Sequence, residues 1–307
     1  MSPGVDGKKY VSCLGASDLV MIATIVTGDS SPSDTEGELL KHVAKARAKC
    51  WSIVDAAMDI GQDKLRDRHV ESFSASMGNT IVHLDGERGD SKHLQSCGDD
   101  KLSSQFECVR SSKRKSSSGV AQLTTKGVWF GRYLLLSSAS NAVANLQGIW
   151  ADGPDSAWSG DYHLNINLQM VYWAAHPMGL GHVVLPPLIK WIVDMAKSGE
   201  NTARSMYGCP GWVAHGFTDN WLDVGVRGGL EWALCVTCGA WVALHLWDHI
   251  SFDFDISFVH NIILPVYRSL AQFFLSYMFK DSEGLYHTGP TTSPEVQWKN
   301  ILPFVCC

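Results

Sequence analysis

Apolar residues follow two rhythms in the first third of the chain. Residues 18–27 are an apolar, β-branched run that stops at Gly28, which is the pattern of a strand. After a polar turn region, Leu40, Ala44, Ala48, Trp51, Val54 and Met58 return at intervals of three and four and predict an amphipathic helix. A shorter helix is predicted over 65–77, and Thr80–Leu84 is a short strand candidate. Residues 86–119 are rich in Ser, Gly, Asp, Lys and Arg and lack apolar periodicity, so they read as a loop or disordered linker. The cluster Lys113-Arg114-Lys115 within them is read as a solvated charge run. From Val120 the rhythm is helical, and helices are predicted over 122–139, 166–176, 184–206, 231–250 and 258–279. Long segments rich in Trp, Gly, Asn, His and Asp separate them. Loops of that kind on a helical scaffold are where binding residues tend to sit. No repeat of fixed period is visible, which argues against a solenoid.

Composition adds little to this pattern. Of 307 residues, 45% are hydrophobic, enough for a substantial core. The net charge is −6 and the pI about 6.0, so neither nucleic acid nor an anionic membrane is expected as a partner. The N-terminal residues lack the basic start and apolar core of a secretory signal, which leaves the compartment open. The apolar stretch from Trp232 to Trp247 contains His245 and is read as a buried helix. Nine cysteines at scattered spacing suggest no disulfide framework. Cys235-Val236-Thr237-Cys238 is a CxxC without a second pair or nearby paired histidines. It is therefore read as buried free thiols, with no metal and no cofactor expected. The twelve tryptophans fit core packing, and they also fit a carbohydrate cleft in which flat rings meet the C–H faces of sugars.

The candidate chemistry lies in the loops. His163-Leu164-Asn165-Ile166-Asn167 would, if extended, put His163, Asn165 and Asn167 on one face and turn Leu164 and Ile166 into the core. An amide does not titrate, but two amide oxygens can hold and orient one water. The same asparagines could instead cap the helix that begins near Ile166. Glu295 follows Ser293-Pro294, whose backbone proline restricts, and near aromatic residues its pKa could rise to suit a general acid. On these residues alone an ordinary solvated glutamate at the start of a helix is the favoured reading. Gly211-Trp212-Val213-Ala214-His215, with Thr218-Asp219-Asn220-Trp221, suits hydroxyl recognition with ring stacking, or a buried loop with satisfied polar groups. GxSxG, P-loop, GxGxxG and HExxH patterns are missing, so serine hydrolases, NTPases, Rossmann enzymes and zinc proteases lose their main support.

Several blocks, taken in order, are similar to glycoside hydrolase family 95. They are Phe130-Gly131-Arg132-Tyr133-Leu134-Leu135, Ala144-Asn145-Leu146-Gln147-Gly148-Ile149-Trp150, His163-Leu164-Asn165-Ile166-Asn167-Leu168-Gln169-Met170, Gly211–His215, Gly239-Ala240-Trp241 with His245-Leu246-Trp247, and Thr292-Ser293-Pro294-Glu295. Residues 18–84 resemble more loosely the segment joining the family's N-terminal β domain to its barrel. The resemblance implies a mainly α chain whose catalytic domain is an (α/α)6 barrel. It implies inverting hydrolysis of α-L-fucosyl linkages, typically α-1,2, on a fucosylated oligosaccharide or a cell-wall or glycoprotein glycan. It also implies Glu295 as general acid, Asn165 and Asn167 as the pair that positions the water, and His163 on the sugar. Trp150, His215 and Asp219 are the further sugar-binding candidates. Acid and base in inverting enzymes stand roughly 6.5–9.5 Å apart, and an oriented water fits between.

The family's catalytic aspartate lies downstream of Ser-Pro-Glu, and no residue here matches it by motif. The expectation is therefore an incomplete barrel at 120–307, a disordered linker at 89–119, and a short α+β remnant of the β domain with connecting helices at 1–88. Two other readings remain open. One is an inactive sugar-binding protein. The other is an (α/α)6 glycosidase or phosphorylase of different specificity, such as an α-L-galactosidase.

Overall fold

The computed structural model describes residues 2–3, 9–10, 22–24, 35–82, 84, 117–151, 153 and 155–292. The strand expected over 18–27 lies almost wholly outside them, as do the linker expected at 89–119, the Lys113-Arg114-Lys115 cluster and Glu295. The chain divides into two compact units, Met1–Ser76 and Met77–Cys307. Among the described residues it is mainly α, and the strands are two-residue pairs.

In the first unit, β1 (Ser2–Pro3) pairs antiparallel with β2 (Lys9–Tyr10). Helix α1 (Glu36–Ile60) begins at a capping box. The Thr35 hydroxyl accepts from Glu38 N, and Glu38 Oε2 accepts from Thr35 N at 2.8 Å. Leu40, Trp51 and Met58 form the predicted apolar stripe, yet no residue of α1 is buried. Gly61 at φ +79° separates α1 from α2 (Gln62–Gly78).

Residues 80–82 and 84 carry no strand, contrary to the expectation for Thr80–Leu84. Side-chain bonds hold this stretch instead of a ladder. Asn79 Nδ2 donates to Gly179 O at 2.7 Å, and Arg132 Nη2 donates to Asn79 Oδ1 at 3.1 Å.

Helix α3 (Ser117–Ala139) carries Arg132, which is buried. Its guanidinium donates through Nη1 to Met178 O and through Nη2 to Met77 O at 3.2 Å, and it lies over the Trp129 ring. A lysine ammonium cannot span these acceptors, because its donors radiate from a single point. Arg132→Lys should therefore cost about 1–3 kcal/mol through under-satisfied buried carbonyls. Urea unfolding would measure it, and an unchanged midpoint would show that Arg132 does not anchor α3.

After β3 (Tyr162–His163) come α4 (Asn167–Tyr172), α5 (Gly181–Tyr207) and β4 (Phe217–Thr218). Then follow α6 (Leu230–Ala233) and α7 (Cys238–Phe252). The continuous helix expected over 231–250 is interrupted at Leu234–Thr237. Cys235 and Cys238 form a disulfide rather than free thiols, with Cα atoms 5.6 Å apart. Leu234 leaves helical geometry at φ −76°, ψ 66°, and its carbonyl accepts from Thr292 N at 2.6 Å and from the Thr292 hydroxyl at 2.9 Å. The stretch is not buried throughout either. In α7, Val242, Ala243, His245 and Leu246 are buried while Trp241, Leu244 and Trp247 are exposed.

The helix expected over 258–279 is likewise divided. A short α8 (Ile256–Phe258) leads through a π-helical turn, Val259–Ile263, into α9 (Leu264–Tyr277). Strands β5 (Phe279–Lys280) and β6 (Tyr286–His287) close the described part.

The core of the second unit is threaded by Trp212-Val213-Ala214, all fully buried between α5 and α7. Trp212 Nε1 donates to Val266 O at 3.0 Å. Backbone contact is close here: Gly239 N donates to Ala214 O at 3.0 Å, and a Cβ at 239 would lie 2.8 Å from the Trp212 ring and 3.0 Å from Ala214 N. Only glycine fits that position.

Candidate active site

The cavity is built where the chain crosses itself. β3 and β4 pair antiparallel, Tyr162 with Thr218 and His163 with Phe217, and Leu164 N continues the contact to Gly216 O at 2.8 Å. This brings the His163 block and the Gly211–Trp221 block together, a pairing that two-residue strands leave no pattern to predict.

Beyond His163 the segment is not extended. Residues 164–166 turn, and α4 starts at Asn167. Leu164 is fully buried as expected, whereas Ile166 is exposed, because the turn ends the strand alternation before it reaches that side chain. Ile166 occupies the helix N-cap, where no side chain donates or accepts a capping bond. Neither asparagine therefore acts as the cap. His163 and Asn167 line one cavity of about 210 Å³, together with Asn145, Tyr162 and Met170. The Asn165 amide oxygen is buried and unpartnered.

His163 is oriented on two sides. Its ring packs at 4.7 Å from Phe217, and Nε2 lies 3.0 Å from Asp161 Oδ1. That contact is short but not aligned as a hydrogen bond, so Asp161 Oδ1 is left unpartnered. The Tyr162 hydroxyl sits 2.7 Å from Asn220 Oδ1 and 3.2 Å from Val143 O, and burial pushes its pKa up.

A larger cavity, of about 590 Å³, shares Asn145, Tyr162 and His163 with the first. Trp158, Asp161, Asp219, Trp221 and Arg227 are among its walls. The Asp219 carboxylate is engaged within its own loop: Oδ1 accepts from Trp221 N (2.9 Å) and Asp223 N (3.3 Å), and Oδ2 meets Arg227 Nη1 at 2.5 Å. It shapes the cavity wall and holds Arg227 there. Trp150 lines a third cavity of about 250 Å³ with Gln147 and Gly148, which shares Ala144, Asn145, Leu146 and Val171 with the first.

His215 lines none of these cavities. It is fully buried, Nε2 meets the Tyr207 hydroxyl at 2.7 Å, and Nδ1 meets Val224 O at 2.8 Å. Burial pushes the Tyr207 hydroxyl up to about 12 and holds His215 below the ordinary imidazole range. The structure thus gives His215 a core role beneath β4.

Nothing in the sequence pattern marks the turn Ala157–Gly160. Trp158 (φ 50°, ψ 37°) and Ser159 (φ 59°, ψ 9°) are both left-handed, at a strain of order 1 kcal/mol or more apiece. Two carboxamides from the 144–150 block hold this turn. Asn145 Nδ2 donates to Gly160 O and Gln147 Nε2 donates to Ala157 O, each at 2.7 Å.

Burial also holds His176 and His245 below the ordinary imidazole range, with His249 adding to the effect at His176. All three histidines, His215 included, bind protons more weakly in the fold than in the unfolded chain. Stability is therefore full above about 6.5 and falls as the pH drops below it, where the unfolded chain binds more protons. Urea midpoints should be lower at pH 5.5 than at pH 7.5. Equal midpoints would mean that the fold does not weaken proton binding at these histidines.

Comparison with known proteins decides the family. The family model described as the glycosyl hydrolase family 95 catalytic domain matches residues 61–301. This chain belongs to glycosyl hydrolase family 95. It is similar to "Alpha-L-fucosidase 2" of Arabidopsis thaliana, with 33% identity over 250 residues, covering 80% of this chain and 28% of that protein. It is also similar to "Probable alpha-fucosidase A" of Aspergillus niger, with 36% identity over 172 residues, or 54% of this chain and 22% of the relative. The chain thus spans about a quarter of the length of the curated relatives it matches. Its mainly helical architecture agrees with the family's (α/α)6 catalytic domain.

Proposed function

We propose that this chain contributes the sugar-binding and acid-bearing part of an inverting α-L-fucosidase that releases L-fucose from α-1,2-fucosylated glycans. The observation that carries the reading is the meeting of His163 and Asn167 on one cavity, with the His163 ring fixed between Asp161 and Phe217. The α-fucosidase names of the relatives favour fucose as the sugar. In this reading Asn165 and Asn167 orient the attacking water, His163 contacts the fucosyl ring, and Glu295 protonates the leaving oxygen. Water oriented in this way supplies several kcal/mol of the barrier reduction.

The test is hydrolysis of 2′-fucosyllactose followed by proton NMR. Release of β-L-fucose as the first product supports inversion. Release of α-L-fucose first, or cleavage of α-L-galactosides in preference to fucosides, would overturn the assignment. A second reading, sugar binding without turnover, draws on Asp219: this cavity carboxylate is already engaged by Arg227 and two backbone amides. Calorimetric binding of L-fucose with no hydrolysis would establish that reading.

A further inference from the structure

The break between α6 and α7 runs against the chain's own apolar pattern, and a covalent bond spans it. That pattern predicts a continuous helix over 231–250, yet the chain leaves the helix at Leu234 and resumes it at Cys238. The Cys235–Cys238 disulfide lies in the break. The backbone groups that an unbroken helix would use are given to another segment. In a helix, Leu234 O accepts from Cys238 N, and Val236 N donates to Trp232 O. Here Cys238 N donates to Cys235 O at 3.2 Å. Leu234 O instead accepts from Thr292 N at 2.6 Å and from the Thr292 hydroxyl at 2.9 Å. Val236 N donates to the Thr291 hydroxyl at 3.4 Å, and the Thr292 hydroxyl lies 3.3 Å from Leu230 O. One turn of chain thus has two uses: to continue α6 into α7, or to hold Thr291 and Thr292.

We propose that the Cys235–Cys238 disulfide is a redox clasp that positions the Thr291–Thr292 segment. For its catalytic meaning the clasp rests on the fucosidase reading, because Glu295 follows Thr292 by three residues. Cys235 and Cys238 are then positioning residues that act on the acid through the chain. With the disulfide closed, the turn keeps Leu234 O and Val236 N turned to the threonines. A dithiol reductant opens it in two exchanges. One thiolate of the reductant attacks Cys235 Sγ, since Cys235 is 5% exposed and Cys238 only 1%. The S–S bond breaks and Cys238 leaves as a thiolate. It stands at the first position of the 15-residue α7, where the helix dipole favours negative charge. The second thiolate of the reductant then displaces Cys235. The reductant ends as a disulfide, and the protein has gained two electrons and two protons. Once open, the turn follows its apolar pattern into the helix and withdraws both backbone groups from Thr291 and Thr292.

The test is amide hydrogen exchange, read by mass spectrometry, with and without dithiothreitol. The Thr292 amide reports the clasp. The Val213 amide, bonded to Gly199 O at 3.3 Å in the core, reports the fold. Reduction should speed exchange at Thr292 about tenfold or more and leave Val213 protected. A variant carrying both Cys235→Ser and Cys238→Ser should exchange at the fast rate with or without dithiothreitol, which separates this pair from the other cysteines. Unchanged exchange at Thr292 after reduction, or a slow rate in the double variant, overturns the clasp. So do free thiols at both positions in untreated protein, and so does joint loss of protection at Thr292 and Val213. Hydrolysis tests the catalytic meaning separately, in a form of the protein that turns over fucosides. Reduction should slow cleavage of 2′-fucosyllactose more than that of an aryl fucoside with an acidic phenol. Fast exchange at Thr292 with equal loss on both substrates keeps the clasp and overturns Glu295 as the acid it serves.

Discussion

Glu295→Gln should lower hydrolysis of 2′-fucosyllactose by about 10²–10⁴-fold in a form of the protein that turns over fucosides. The galactosyl oxygen is a poor leaving group and needs a proton as the bond breaks. Glutamine is nearly isosteric with glutamate but has no acidic proton to give. An aryl fucoside with an acidic phenol leaves without that help, so its hydrolysis should fall far less. The pH profile gives a second signature: the alkaline limb set by the acid should disappear in the variant. An equal loss on both substrates would remove Glu295 from the acid's role, since a general acid discriminates by leaving group.

Trp212→Ala should destabilise the second unit by about 3–5 kcal/mol. Trp212 is fully buried, and its ring sits against the positions where a Cβ on Gly199 or Gly239 would come within about 3 Å. Truncation leaves a cavity between α5 and α7 and strips Val266 O of its donor. Domains of this size are stable by about 5–15 kcal/mol in total, so the variant should be largely unfolded on mild warming. Trp212→Phe refills most of the space and loses the hydrogen bond, and should cost roughly 1–3 kcal/mol. Urea unfolding of the pair separates the two contributions. If the alanine variant were as stable as the phenylalanine variant, the packing account would fail.

Much of the helical scaffold was legible because apolar spacing is a direct record of which face is buried. The predicted spans 122–139 and 184–206 fall on α3 and α5 within a few residues of their ends. The break at Leu234–Thr237 was not legible. Leu-Cys-Val-Thr-Cys is as apolar as a helix interior, and the Thr292 contacts at the break are tertiary. The His163 block was visible as chemistry, but its partner strand was not, since two-residue strands have no periodicity. For His215 the sequence left a binding loop and a buried loop both open, and the structure gives the buried one. The left-handed turn at Trp158 gave no local sign, because neither Trp158 nor Ser159 belongs to the residue types that favour that conformation. Asn145 and Gln147, which hold it, were visible only as part of a block similar to the family.

The pairing of β3 with β4 has a consequence for how the molecule is made. All of α5 lies between the two strands in sequence, so the wall around His163 closes only once the chain has returned past it. Contacts of such long sequence separation come late, after their loop-closure entropy has been met. During synthesis the nascent chain would hold its helices before it holds a binding cleft. On the proposed reading, a sugar that fits the cleft would favour finished molecules over compact, half-assembled ones.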